Sequence, residues 1–261
     1  MRRQQYRKRR APTFLAVIAG ALVAACDSPT GPEGRAAAIV IGDVTTTATF
    51  ARPEGLRFLY GMPLVLRETG GVGATITEVT ATLTEVSGAS TTARLSPADV
   101  FGTARITARG TLASTTIALA ATPSTASEMS VRVAFNDDRG NAGSVQASSV
   151  VRLDLNGNWS GPLRFPTNPR ADLSLGRVTI VQSGNSLTGE LVSRDGIRFP
   201  LSGGVDALRP SLQVNGLTSC GIVMLVEEFQ FGGGHTRRMS GRAGGRCPGT
   251  VDGTFELERG S

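Results

Sequence analysis

The sequence predicts an all-β protein, and three features of the chain lead to that prediction. After residue 34, valine, threonine, isoleucine, leucine and phenylalanine alternate with polar residues in short runs, which is the two-residue period of a strand with one buried face. Turn sequences rich in glycine separate those runs, and the chain contains 33 glycines. The 3.6-residue period of an amphipathic helix is missing from the sequence, so we expect strands joined by turns and no helix.

The N-terminal segment has the layout of a secretory signal. Basic residues within the first ten positions precede an apolar run that extends to Ala25. That run is about fifteen residues long and falls short of the roughly twenty that a spanning helix needs. The segment over residues 1–25 is therefore predicted to be a leader that is cleaved during export.

A cysteine at the end of this leader predicts a lipid anchor. Val23-Ala24-Ala25-Cys26 resembles the lipobox of bacterial lipoproteins. The resemblance implies that the Cys26 thiol takes a diacylglycerol and becomes the new N-terminus, so that acyl chains such as palmitate hold the protein at a membrane. We therefore expect the folded part in the bacterial cell envelope, outside the cytoplasm. An ordinary signal peptide or an uncleaved anchor is the alternative.

The segment after the leader is predicted to be a lipidated tether. Residues 26–34 consist of Cys26 followed by proline, glycine, small polar residues and two acidic residues, a composition that cannot build a hydrophobic core. The tether would separate the first folded domain from the membrane surface.

The net positive charge of the chain belongs to its leader. The whole chain has a formal net charge of +6, and residues 1–25 contain six basic residues and no acidic ones, so the remainder sums to zero. The remaining arginines are scattered, without a basic stripe or interleaved aromatic residues. We therefore expect no nucleic acid among the partners.

The other two cysteines predict a disulfide bond. With Cys26 assigned to lipid, Cys220 and Cys247 remain as an even pair in an exported protein, which is the usual setting of a structural disulfide. Closing a loop of that length stabilises by roughly 3–4 kcal/mol in the chain-entropy model. Two free thiols are the alternative. No metal site is predicted, because two cysteines and the single His235 do not make a tetrahedral ligand set.

The rest of the chain is long enough for two β domains, which we place at residues 35–152 and 153–261. The clearest strand of the first domain is residues 131–135, and a turn cluster over residues 136–141 follows it. This hairpin resembles the last hairpin of bacterial immunoglobulin-like and fibronectin-type-III-like modules. The resemblance implies an immunoglobulin-like β-sandwich over residues 35–152.

Two acidic residues in that turn cluster admit two interpretations. Asp137 and Asp138 could contribute carboxylate ligands to a bound Ca²⁺ ion. The alternative is that they only form the turn, since aspartate side chains bond to nearby backbone groups in solvated loops. We favour the turn.

Eight candidate strands follow one another in the second domain. They are residues 158–165, 171–182, 187–193, 197–205, 211–217, 222–231, 237–242 and 250–259. An apolar residue, a small or polar residue and a glycine recur as a unit, for example in Leu187-Thr188-Gly189 and Met239-Ser240-Gly241. Glycines inside strands mark bends or close backbone approaches, which a small, tightly curved barrel needs. The pattern predicts a small eight-stranded up-and-down barrel.

The first and last strands of this barrel carry a pair of residues that tests its closure. Gly157 and Trp159 open the first strand, and Arg259 ends the eighth. In a closed meander these strands are neighbours, so we expect the Arg259 guanidinium to cover the Trp159 indole. Gly-x-Trp with a terminal arginine resembles the calycin families, which include lipocalins and avidins. The alternative is a second sandwich in which Trp159 is an ordinary core residue.

No catalytic constellation emerges from the sequence, and we predict no enzyme and no cofactor. His235 follows three glycines, which makes a poor platform for a catalytic base. Glu227 and Glu228 are adjacent, and neighbours on a regular strand point to opposite faces, so we expect them not to act together. Glu227 is a candidate ligand contact if its face lines the barrel lumen. The alternative is a rim position or a salt bridge.

These observations predict a non-catalytic binding or structural role in the cell envelope. The favoured interpretation is contact with another protein through the barrel rim and loops, because an eight-stranded barrel is just wide enough for its own side chains. A lipocalin-like carrier of a small apolar ligand is the first alternative. Resemblance to small disulfide-bonded barrels makes a periplasmic enzyme inhibitor the second.

Overall fold

The computed structural model describes residues 36–51, 57–165, 173–205, 209–216, 221–245 and 252–260. Residues 35–261 form one compact unit. Its strands are β1 (Ile39–Ile41), β2 (Thr46–Ala51), β3 (Arg57–Met62), β4 (Val65–Glu68), β5 (Ala74–Glu85), β6 (Ser90–Leu95), β7 (Arg105–Ile106), β8 (Thr111–Ala113), β9 (Ile117–Ala121), β10 (Ala126–Asp137), β11 (Ala142–Val150), β12 (Gly157–Arg164), β13 (Leu173–Ser183), β14 (Ser186–Val192), β15 (Arg198–Gly204), β16 (Ser211–Val214), β17 (Ile222–Gly232), β18 (His235–Gly245) and β19 (Gly253–Arg259).

The all-β prediction is confirmed, with one short exception. Helix α1 (Pro97–Phe101) lies between β6 and β7, so the expectation of no helix at all is wrong. Pro97 starts it, and Gly102 ends it in the left-handed conformation at φ 74°, which is the usual pairing of proline at the start and glycine after the end. A single turn is too short to show a helical period in the sequence. No helix among the described residues has the length and apolar character to span a membrane.

Strands β12 to β19 form the predicted closed barrel. Each strand pairs antiparallel with the next, and β19 pairs back with β12. Every predicted end of these eight strands lies within three residues of the observed one. The local turn sequences therefore carry enough information to define the meander.

The inward faces of the barrel strands are mostly apolar and buried. Most of the described inward residues are apolar and no more than 3% exposed, namely Trp159, Leu163, Val178, Ile180, Leu187, Leu191, Leu201, Leu212, Val214, Ile222, Met224, Val226, Phe229, Phe231, Met239, Phe255 and Leu257. Phe199, opposite Leu191, is half-buried, and Thr236 and Arg259 are polar residues on the same face. The buried apolar residues belong to one continuous hydrophobic core. The described interior of the barrel is thus filled with its own side chains, as eight strands allow.

Three of the recurring glycines allow neighbouring strands to approach closely. A Cβ atom at Gly189 would lie 1.9 Å from the Thr179 carbonyl oxygen, and one at Gly241 would lie 2.0 Å from the Leu225 carbonyl oxygen. A Cβ atom at Gly203 would lie 2.1 Å from the Ser211 carbonyl oxygen of β16. A side chain would clash with backbone at each place, so the repeated glycine is a requirement of the barrel's curvature.

The chain before the barrel forms two further sheets. One has the strand order β1-β4-β8, and the other has the order β11-β10-β5-β6, with β7 beside β5. The predicted hairpin is present as β10 and β11, which pair over nine consecutive residues. The finer assignment of these sheets to an immunoglobulin-like module stays a prediction.

Three strands from before the barrel extend the barrel sheet itself. Strand β2 pairs with the second half of β17, and β3 and β9 follow it in the same sheet. Phe58 and Tyr60 of β3 lie 5.6 and 6.1 Å from Phe229 and Phe231 of β17, between ring centroids. The sheet and the core therefore cross the boundary that we placed between residues 152 and 153.

Candidate functional site

Arg259 and Trp159 meet where the barrel closes. They are direct cross-strand partners in the β12–β19 ladder, and the Arg259 guanidinium carbon lies 5.7 Å from the indole centroid. The indole Nε1 donates a hydrogen bond of 2.9 Å to the Leu155 carbonyl oxygen. The only tryptophan of the chain is thus held by its apolar face, by its N–H group and by a cation.

The Arg259 side chain also ties the last strand to the segment that leads into the first. Its Nη2 donates to the Asn156 carbonyl oxygen and, at 3.0 Å, to Asp154 Oδ2. Partial burial opposes ionisation of Asp154, but hydrogen bonds from Asn156 and Arg259 outweigh it and lower the pKa of that carboxyl. Gly157 lies beneath the guanidinium at φ 126°, and a Cβ there would be 3.3 Å from Arg259 Nε. This cluster joins the first and last strands where the barrel closes.

A β-bulge in β17 corrects the expected geometry of the two adjacent glutamates. The β17–β18 register shifts between Val226 and Glu228, so that Glu227 is an extra residue. On a regular strand Glu227 and Glu228 would point to opposite faces, whereas a bulge turns two consecutive residues toward one side. Both line the same groove on the outside of the barrel. The expectation that the two side chains point to opposite faces is therefore wrong.

A groove lies beside this bulge, and we name it the outer groove. Its volume is about 630 Å³. It is lined by Thr49, Phe50 and Ala51 of β2, Pro162 and Arg164 of β12, Glu227 and Glu228 of β17, Ser240, Gly241 and Arg242 of β18, and Thr254, Phe255 and Glu256 of β19. The groove exists because β2 extends the sheet from the second half of β17.

Acidic and basic side chains form ion pairs along the outer groove. Glu227 Oε1 accepts from Arg209 Nη2 at 2.6 Å and lies 3.2 Å from Arg242 Nε. Glu256 pairs with Arg238 at 2.6 Å. The Arg209 guanidinium carbon lies 4.9 Å from the centroid of the Phe50 ring, so an aromatic surface and paired charges meet here.

Glu227 therefore takes the salt-bridged position and not the position of a polar anchor in the lumen. Its side chain is 28% exposed. The buried face of β17 consists of Ile222, Met224 and Val226 before the bulge and of phenylalanines after it. A strict two-residue period would place Glu227 on the same face as Phe229 and Phe231, but the bulge interrupts that period, and a sequence pattern does not reveal a bulge.

His235 begins β18 at the tight turn after β17. Its Nδ1 lies 3.1 Å from the Gly233 carbonyl oxygen. A cavity of about 570 Å³ beside it is lined by Gln230, His235, Arg237, Arg238, Glu258, Arg259 and Gly260.

The two aspartates of the β10–β11 turn bind groups of this chain. The Asp137 carboxylate, only 5% exposed, accepts from the N–H groups of Arg139 and Asn141 at 2.9 and 2.8 Å, from Asn141 Nδ2 at 3.0 Å and from Ala37 N at 3.2 Å. The Asn141 side chain contributes most to lowering the pKa of Asp137 to about 2. Asp138 forms an ion pair with Arg105. The contacts support the turn interpretation, and the described residues contain no cluster with enough metal ligands.

A further carboxylate organises the first half of the chain and was missed in the sequence. Glu68 is 3% exposed. Its oxygens accept from four backbone N–H groups, those of Ala38 at 3.1 Å, Gly70 at 2.7 Å, Gly71 at 2.9 Å and Arg109 at 2.7 Å. Burial opposes ionisation, but these donors, led by Arg109, hold the pKa of Glu68 below its usual value. The signal was a glutamate at the end of a strand, two residues before a pair of glycines.

The predicted lipidation and disulfide positions, Cys26, Cys220 and Cys247, lie outside the described residues. The last described pair of the β17–β18 ladder at that end is Ile222 opposite Gly245. In the sequence Cys220 precedes the first of these by two residues, and Cys247 follows the second by two.

Comparison of the chain with known protein families, with curated proteins and with solved structures finds no match.

Proposed function

We propose that this is a lipid-anchored protein of the bacterial cell envelope with a non-catalytic binding or structural role, exercised by contact with another protein. The observation that carries this proposal is the packing of the barrel interior. Most of the inward residues from Trp159 to Leu257 are almost completely buried and form one core. A barrel filled in this way stabilises the fold, and its binding capacity then belongs to its outer surface.

The outer groove is the part of that surface best suited to a protein partner. It combines the Phe50 ring, the hydroxyl groups of Ser240 and Thr254, and charges of both signs. Interfaces between proteins favour such a mixture of aromatic, arginine and hydrogen-bonding groups. Glu228 is exposed at one wall and Arg164 at the other, so a partner with one positive and one negative group would be complementary to the groove.

The alternatives have less support from the geometry. A carrier of a small apolar ligand needs open space in the lumen, and the described inward side chains fill it. An inhibitor of an envelope enzyme would act through the same outer surface and loops, so it is a special case of the proposed contact. The inhibitor hypothesis differs from the general proposal only because it requires the partner protein to be an enzyme.

Export to the envelope is supported by the leader and by the cysteines. We propose that Cys26 is acylated and that Cys220 and Cys247 form a disulfide. Such a bond would stabilise the folded chain by restricting the unfolded one.

A site-specific crosslinking experiment tests the proposed contact. A photo-crosslinking amino acid is placed at Thr254, which lines the outer groove, or at Thr188 as a matched control. Thr188 is an exposed threonine on another barrel strand, β14. We expect a discrete protein adduct in intact cells from position 254 and none from position 188. Equal labelling from both positions, or no adduct from position 254, would contradict the proposal.

A further inference from the structure

Strand β11 is the outermost strand of its sheet, and it lacks a charge, a proline and a bulge, three features that commonly protect such an edge. It pairs with β10 over nine consecutive residue pairs without a bulge. It contains no charged residue and no proline, and none of its nine residues is buried. Edge strands of folded proteins are commonly short, charged, bulged or covered.

The backbone groups on this edge point away from β10 at alternate residues. Hydrogen bonds from Asp137 N to the Asn141 oxygen and from Val151 N to the Ser127 oxygen mark the two ends of the β10–β11 ladder. Because bonded and outward residues alternate along an antiparallel strand, the odd-numbered residues of β11 bond to β10 and the even-numbered ones point outward. Strands β1 and β17 come near β11, yet no described residue hydrogen-bonds to these outward backbone groups.

We propose that β11 pairs antiparallel with β11 of a second copy of this chain, across a two-fold axis at Gln146. In that register Ala142 lies opposite Val150, Ser144 lies opposite Ser148, and Gln146 lies opposite its own copy. All five outward residues of each strand then find a partner, which gives about ten new backbone hydrogen bonds. The two sheets become one continuous sheet, and the interface is the same on both copies.

The side chains of the outward row favour a second copy over another partner. A serine hydroxyl and a glutamine amide both donate and accept hydrogen bonds, so Ser144 can bond to Ser148 of the other copy, and the two Gln146 side chains can bond to each other. Strand β11 itself contains no charged residue, so self-pairing sets no like charges directly opposite each other. Arg132 of β10 donates to Ser144 Oγ at 3.2 Å, and the Ser144 hydroxyl can still donate its own proton to Ser148 of the other copy. The opposite edge of the sheet differs. Strand β6 carries Arg94, whose side chain is 82% exposed, and such a charge discourages edge pairing.

This contact lies in the sheet β11-β10-β5-β6 and not in the sheet that forms the outer groove. The proposed self-association therefore goes beyond the proposed function, and one can fail without the other.

Proline substitution tests the contact without breaking the internal ladder. Gln146→Pro removes an outward N–H group, which proline can lack on an edge strand at little cost. Thr92→Pro is the matched control, because Thr92 is an outward residue near the middle of β6 by the same alternation. We expect sedimentation of the full acylated chain in detergent to show a concentration-dependent dimer that Thr92→Pro preserves. We expect Gln146→Pro to weaken it at least about ten-fold, with an unchanged unfolding midpoint.

A wild-type chain that stays monomeric up to its solubility limit would overturn the proposal. So would a dimer that survives Gln146→Pro, or one that Thr92→Pro disrupts equally. If Gln146→Pro lowers the unfolding midpoint, Gln146→Arg decides instead, since it keeps the N–H group and places two arginines against each other on the axis. Loss of the dimer in that folded variant supports the contact, and its persistence refutes it.

Crosslinking in the cell provides an independent measurement. Gln146→Cys would bring two thiols together on the axis, at the spacing of directly opposed residues in a ladder, which is within disulfide range. Thr92→Cys and the wild-type chain control for the native cysteines. We expect oxidation to give a covalent dimer from the first variant alone. If position 146 remains uncrosslinked, or crosslinks to a different protein, another occupant covers the edge and the proposal is wrong.

Discussion

Arg259 lies directly opposite Trp159 in the ladder that closes the barrel, with its guanidinium carbon 5.7 Å from the indole centroid. The same guanidinium bonds to Asp154 and to the Asn156 carbonyl oxygen. One side chain thus joins the end of the last strand, the core of the first strand and the segment that enters the barrel. The contacts of Arg259 therefore hold the segment that enters the barrel and the end of its last strand together.

Loss of this arginine is expected to destabilise the barrel. Arg259→Ala removes a cation–π contact and charge-assisted hydrogen bonds, and leaves Asp154 without its ion-pair partner. We expect the free energy of unfolding to fall by about 2–3 kcal/mol, measured by urea denaturation. Arg177→Ala, at an exposed position of β13, is the control and should change little. A wild-type midpoint in the Arg259 variant would show that the pair does not hold the barrel closed.

Replacing different strand glycines by alanine is expected to lower the stability of the protein by very different amounts. Gly241→Ala places a Cβ atom 2.0 Å from the Leu225 carbonyl oxygen, so the β17–β18 ladder must shift, at a cost of at least about 2–3 kcal/mol. Gly244→Ala on the same strand is the control, because the nearest atom to its Cβ is 4.0 Å away. Thermal unfolding of the two variants compares them directly. Equal midpoints would mean that close strand approach is not what selects glycine at position 241.

The buried carboxylate of Glu68 is expected to be essential for the first half of the chain. Glu68→Ala leaves four backbone N–H groups without their acceptor, and each unsatisfied buried donor is costly, so we expect a loss of more than about 3 kcal/mol. Glu128→Ala, at an exposed position of β10, should be close to neutral. Hydrogen exchange would report the loss as faster exchange at Gly70, Gly71 and Arg109. Unchanged exchange there in the Glu68 variant would refute this role.

Acid is expected to weaken the β10–β11 turn in a defined pH range. The pKa of Asp137 falls from an ordinary 3.8 to about 2 in the folded chain, so its ionised form favours folding. This contribution is complete above pH 4 and is lost as the pH falls from 4 to 2. Asp137→Asn removes the charge, so the stability difference between wild type and variant should shrink across that range. A constant difference from pH 6 to pH 2 would contradict the assignment.

Local sequence signals explain why the barrel was predictable in detail. Turn sequences rich in glycine separate the strands, and the repeated glycine units of Gly189, Gly203 and Gly241 coincide with the close strand approaches. The pairing of β2 with β17 was not predictable, because it joins residues far apart in the sequence and leaves no local pattern. The bulge at Glu227 was not predictable for another reason. One inserted residue changes the face to which the following side chains point, but it leaves the composition of the strand unchanged.

The most direct test of the account is native mass spectrometry of the full chain purified from its own membrane under conditions that retain non-covalent ligands. The central claim is that the barrel interior is a packed core and that binding belongs to the outer surface. The account predicts the mass of the acylated chain, alone or with a protein, and no small molecule in stoichiometric amount. A bound apolar molecule at one per chain, lost in a variant that enlarges an inward residue such as Leu212→Trp, would contradict it and make the protein a carrier.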